Sequence, residues 1–89
     1  MKHYDIKVYG KVHGVFYRAN TVRTANELGV SGWVKNVNDG SVLISAEGQE
    51  EQLDKLVRWC QEGPSYAKVE RVSFSEGPMQ DFESFRIIR

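Results

Sequence analysis

Val30-Ser31-Gly32-Trp33-Val34-Lys35-Asn36-Val37, then Asn38-Asp39-Gly40, then Ser41-Val42-Leu43-Ile44-Ser45-Ala46-Glu47, is the stretch on which the fold turns. Apolar residues recur at every second position after the turn, with Val42, Ile44 and Ala46 on one side, which is the period of a half-buried strand. The Asp-Gly step between the two runs tolerates the positive φ that tight hairpins need. Residues 30–37 and 41–47 are therefore expected to be strands paired antiparallel.

Upstream, Tyr4, Ile6 and Val8 alternate with Asp5, Lys7 and Tyr9, so residues 4–9 predict another strand. Gly10 and Gly14 interrupt it. Ala19, Val22, Ala25 and Leu28 then recur at helical spacing, predicting a helix over 18–28 that stops at Gly29. Downstream of the hairpin, Leu53, Leu56, Val57 and Cys60 form the apolar stripe of a second helix. Gly48 is its expected cap, Glu50 and Glu51 suit the positive end of its dipole, and Gly63-Pro64 ends it. Glu51–Lys55 and Asp54–Arg58 are spaced for ion pairs on its solvent side. Residues 69–75 predict a fourth strand whose uneven alternation points to a bulge. Residues 82–88 predict a short fifth strand after Gly77-Pro78, with its place in the sheet left open. The order βαββαβ, with two helices on one face of a mostly antiparallel sheet, is the ferredoxin-like α+β arrangement.

At 89 residues the chain is expected to be a single domain, 1–89. Scaling with size predicts roughly 5,300 Å² of exposed surface and burial of about 64% of what the unfolded chain exposes. No apolar run reaches the ~18 residues of a membrane span, and Met1–Asp5 lacks an apolar secretion signal, so a cytoplasmic protein away from membranes is expected. The 12 basic and 12 acidic side chains balance, which argues against a nonspecific nucleic-acid binder. The balance is uneven along the chain: six basic against three acidic residues over 1–45, and six against nine over 46–89. An anion would therefore meet the first half. One cysteine and two histidines cannot assemble a Cys/His zinc cluster, and Cys60 reads as a small core residue. A monomer is expected, since nothing in the sequence demands a partner.

Chemistry concentrates in Gly10-Lys11-Val12-His13-Gly14-Val15-Phe16-Tyr17-Arg18, which joins a strand end to a helix start. Helix starts carry unpaired N–H groups and partial positive charge. Gly14 lets successive N–H groups converge as an anion nest, and Arg18 adds a planar guanidinium that grips two phosphate oxygens. Read alone, the same loop is also a common strand–helix connector with a solvated Arg, and it lacks the ending of a Walker loop. Asn36 lies at a strand end that this topology brings toward the loop. Its carboxamide could hold a water, although spacing alone favours a turn-shaping role. Lys35 reads as exposed and Trp33 as packing. His13 stands as a solvent-contacting loop residue, with acid–base chemistry as the alternative, and His3 carries no signal.

In these two stretches the sequence resembles the acylphosphatase family. The first signature, G-x-V-x-G-V-x-[FY]-R, is met by Gly10, Val12, Gly14, Val15, Tyr17 and Arg18. The second, G-[FYW]-V-x-N-x-x-x-G-x-V with a later glycine, is met by Gly32, Trp33, Val34, Asn36, Gly40, Val42 and Gly48. His13 replaces the commoner glutamine, and Phe16 stands where smaller residues are common. The resemblance implies hydrolysis of a small acyl phosphate to carboxylate and inorganic phosphate. It also implies a phosphate held by the backbone of His13, Gly14, Val15, Phe16, Tyr17 and Arg18, with catalysis by Arg18 and by Asn36 orienting the water. Neither metal nor cofactor is expected, and no covalent intermediate. Two other readings are an RNA-binding sheet, opposed by the lack of an aromatic recognition pattern on the central strands, and a regulatory domain that binds phosphate without turnover.

Overall fold

The computed structural model describes all 89 residues. In chain order they form β1 (Lys2–Lys11), α1 (Tyr17–Leu28), β2 (Ser31–Asn36), β3 (Val42–Gly48), α2 (Glu50–Glu62), β4 (Lys68–Gly77) and β5 (Phe85–Ile87). The sheet order is β4-β1-β3-β2-β5, with every pairing antiparallel except β2 with β5. This is the ferredoxin-like α+β sandwich, and the fifth strand takes the edge beyond β2. The exposed surface is 5397 Å², close to the size-scaling expectation.

Strand parity builds the core. Tyr4, Ile6 and Val8 of β1, Val34 of β2 and Val42, Ile44 and Ala46 of β3 point to the helices, where Ala25 of α1 and Leu53, Leu56, Val57 and Cys60 of α2 meet them. Burial pushes the Cys60 thiol up to about 12, so the residue is the inert core group the helix stripe indicates. The Tyr4 hydroxyl donates to Asp54 across 3.1 Å. The expected Asp54–Arg58 pair is therefore absent, because Asp54 turns to the β1 hydroxyl; Glu51 and Lys55 do approach, at 3.9 Å. The expected Gly48 cap is also corrected. Gly48 closes β3, and the residue at the helix boundary is Gln49, whose side chain makes no capping bond.

The expected bulge lies in β4. Tyr9 pairs with Arg71 and Gly10 with Val69, which leaves Glu70 as the extra residue. Gly10 is required there: at φ 130° a Cβ would lie 2.2 Å from the Lys68 carbonyl oxygen. Gly32, at φ 145°, is held equally close to β3, its Cβ position 1.8 Å from the Ser45 carbonyl oxygen.

The other face of the sheet carries an unforeseen feature. After β4 the chain must reach the far edge to form β5, and residues 78–84 cross that face to do so. Beneath them lie His3 and Glu47, register partners on β1 and β3 and both about 1% exposed. His3 Nδ1 donates to Glu47 Oε2 at 2.6 Å, and Glu47 also accepts the Gln80 and Phe82 amides at 2.6 and 3.2 Å. The other ring nitrogen of His3 lies 3.0 Å from Asp5, which also accepts the Ser45 hydroxyl. Burial opposes charge on the imidazole, yet the hydrogen bonds to Glu47 and Asp5 outweigh it and raise the His3 pKa. Burial likewise opposes the Glu47 carboxylate, but the Gln80 amide, His3 and the Phe82 amide hold its pKa below the usual range.

Candidate active site

Topology creates the site. β1 and β2 flank β3 and both run antiparallel to it, so their C-terminal ends, Lys11 and Asn36, emerge at the same end of the sheet. The loop after β1 and the N-terminus of α1 lie there too. A cavity of about 250 Å³ opens between them, lined by Val12, Gly14, Phe16, Tyr17, Arg18, Ala19, Asn36 and Ile87.

The loop turns through two left-handed residues, Gly14 at φ 69° and Phe16 at φ 64°. As a result no backbone N–H from His13 to Ala19 meets an acceptor within the protein. In a helix the first such groups are always free; here the free row continues back through the loop. The loop is nevertheless pinned. Val15 is buried, and Tyr17 is buried with its hydroxyl donating to the Cys60 carbonyl at 2.8 Å and its ring against Trp59. The Phe16 carbonyl accepts both the backbone and side-chain N–H of Asn20, at 3.1 and 2.9 Å.

His13 is half-buried and reaches sideways: its Nε2–H donates to the Ser41 carbonyl at 2.7 Å. It is thus a tie between the loop and the β2–β3 turn, with less solvent contact than expected of a loop histidine. That turn is fixed in its own right by Asp39, which accepts the Ser41 amide at 2.9 Å and the Ser41 hydroxyl and faces Lys7 at 3.0 Å. The Ser41 hydroxyl and amide, then Lys7, hold the Asp39 carboxyl far below its usual range.

Two side chains complete the lining. Arg18 is half-exposed and has no carboxylate within 4.0 Å, and no acidic residue lines the cavity. Asn36 pairs with Val42 at the end of β2, and its Oδ1 is buried with no hydrogen-bond partner. Buried polar atoms are paired in the great majority of cases, so this oxygen, on a residue that lines the cavity, is exceptional. Among the other residues singled out above, Lys35 is half-buried with its ammonium 5.4 Å from the Trp33 ring. Trp33 lines a different hollow, beneath residues 81–86. The sequence reading missed Ile87, which reaches the cavity only because β5 pairs beside β2. No helix is long and apolar enough to cross a membrane.

A ferredoxin-like sandwich with free N–H groups, one unpaired guanidinium and one orphaned carboxamide around a small cavity defines a class of compact α+β protein suited to a tetrahedral anion. The acylphosphatase family model matches residues 4–87. A Marinobacter nauticus acylphosphatase is 50% identical over 93% of this chain and 91% of its own length. The crystal structure of acylphosphatase from Bacillus subtilis superposes with a TM-score of 0.97 at 36% identity, covering 100% of both chains. That of an acylphosphatase from Coxiella burnetii gives 0.95 at 37%, covering 98% of this chain and 92% of the other. The chain belongs to the acylphosphatase family, hydrolases that act on acid anhydrides.

Proposed function

We propose that the chain hydrolyses the carboxyl–phosphate bond of small acyl phosphates, with the phosphoryl group in the 13–18 backbone cradle and on Arg18, and the attacking water on Asn36. The observation that carries this reading is the row of free N–H groups around a cavity that Arg18 and Asn36 also line. The N–H row and the guanidinium hold a dianion; the Asn36 carboxamide, with one acceptor and two donors, holds a water.

The reaction asks little of side-chain chemistry. Water oxygen bonds to phosphorus, the bond from phosphorus to the acyl oxygen breaks, and its electron pair leaves on the carboxylate. A carboxylate is the base of an acid of pKa near ~4, so it departs without protonation. The water proton passes to a phosphate oxygen. Phosphoryl transfer has a loose transition state in which positioning and charge stabilisation dominate, which fixed N–H donors and a guanidinium supply. Direct attack by water also accords with the lining. Its only hydroxyl belongs to Tyr17, whose oxygen is turned into the core onto Cys60 and whose pKa burial drives upward.

Asn36→Ala is expected to lower kcat for benzoyl phosphate by about 10²–10³-fold, the loss typical of one oriented polar group. Its inhibition constant for inorganic phosphate stays near that of the unaltered protein, because the cradle is intact. Steady-state assays in EDTA, with a simple phosphate ester as control, check this. Unchanged kcat would remove Asn36 from the mechanism, and no release of phosphate from any acyl phosphate would remove the reading altogether.

A further inference from the structure

The phosphoryl cradle accounts for Arg18, Asn36 and the loop N–H groups, but two further side chains at the same cavity remain unexplained. Phe16 is 69% exposed although its neighbours Val15 and Tyr17 are buried. It also holds φ 64°, a left-handed conformation that bulky residues seldom adopt. Neither packing nor backbone preference accounts for a phenyl ring there. Ile87, 45% exposed, is the second. It arrives from the opposite end of the sequence, placed by the Val34–Ile87 register and the Ile88 N–H to Val34 carbonyl bond of 2.9 Å.

We infer that Phe16 and Ile87 form an apolar rim that receives the acyl end of the substrate and sets a preference for aromatic and aliphatic acyl phosphates. This rests on the reading of the cradle given above. A cavity of about 250 Å³ is below the ~300–1,000 Å³ of sites that enclose drug-sized ligands. With the phosphoryl group seated against the N–H row, the acyl group extends toward the mouth. There it meets a phenyl ring, a branched aliphatic chain and the exposed Ala19 methyl, with no carboxylate or amine in the lining besides the Arg18 guanidinium. An acyl group bearing its own charges or hydroxyls finds no partner on that rim, whereas a flat apolar one covers it from water.

The test compares kcat/KM for benzoyl phosphate with kcat/KM for acetyl phosphate in the unaltered protein, Phe16→Ala and Ile87→Thr. The intrinsic reactivity of each compound is the same in every assay, so a change in the ratio reports contact with the acyl group alone. Each substitution is expected to lower the benzoyl-to-acetyl ratio by about three- to tenfold, the range of one aromatic or apolar contact. Ile87→Thr keeps a β-branched side chain in the strand and serves as the second probe if Phe16→Ala alters the loop. Equal losses for both substrates, or an unchanged ratio in both variants, would overturn the rim. Failure of the unaltered protein to hydrolyse either compound would instead overturn the reading of the cradle.

Discussion

Arg18→Ala is expected to lower kcat/KM for acyl phosphates by about 10³-fold or more, the scale on which a transition-state arginine acts in phosphoryl transfer. Arg18 is the only cation lining the cavity and has no carboxylate partner, so its whole donor set is available to a ligand. The free N–H groups carry only partial charge, and they cannot replace a full positive charge opposite a dianion. Loss of Arg18 therefore weakens ground-state binding as well as turnover: the inhibition constant for inorganic phosphate rises along with the fall in kcat. That separates it from Asn36→Ala, where kcat alone falls. Arg18→Lys restores the charge as a point and not as a fork, so it is expected to recover part of the phosphate affinity and little of kcat. Steady-state kinetics with phosphate as inhibitor read all three variants. Activity of Arg18→Ala within threefold of the unaltered protein would exclude the guanidinium from the phosphoryl site.

What was legible in the sequence follows from locality. The second helix declares itself because Leu53, Leu56, Val57 and Cys60 repeat with its period, and all four are core residues. The hairpin is equally plain, since Asn38-Asp39-Gly40 separates two runs that pair in register. Both ends of the candidate site lie in contiguous motifs, so Arg18 and Asn36 could be singled out before their meeting was visible. Ile87 could not: a three-residue strand carries no mark of its partner, and its place at the cavity depends on the β2–β5 pairing. His13 illustrates the same limit, for its bond to the Ser41 carbonyl joins two loops with no shared period. His3 is the sharpest case. It lies outside the strand expected over residues 4–9 and carries no signal in the sequence. Only the crossing of residues 78–84 turns that position into a buried one. Charge patterning could not reveal this, because a buried Glu and a solvated Glu look alike in a sequence.

Glu47→Gln is expected to destabilise the fold by about 3 kcal/mol, the lower end for breaking a buried ion pair by removing one partner. The lower end applies because Asp5 still faces the other nitrogen of His3, at 3.0 Å, and is itself half-exposed. The carboxylate does three things at once: it neutralises His3, accepts the Gln80 amide and accepts the Phe82 amide. A carboxamide oxygen can keep a neutral hydrogen bond to one amide, but it cannot hold the imidazolium. The consequence for pH has a definite sign. His3 has a raised pKa in the folded protein, so its contribution is complete below the unfolded value near ~6.5 and is lost as pH climbs through the folded value. Glu47 has a lowered pKa, so its contribution is present above the ordinary value of ~4.3 and is lost as pH drops through the folded value. Urea unfolding across this range should show stability declining above pH ~6.5 in the unaltered protein and a shallower decline in Glu47→Gln. Amide exchange should accelerate at Gln80 and Phe82, which lose the charged acceptor they share, while the amides of α2 follow only the global loss. An unchanged urea midpoint, or identical pH profiles for the two proteins, would mean that residues 78–84 are held by packing of Phe82 and Phe85 and not by the buried carboxylate.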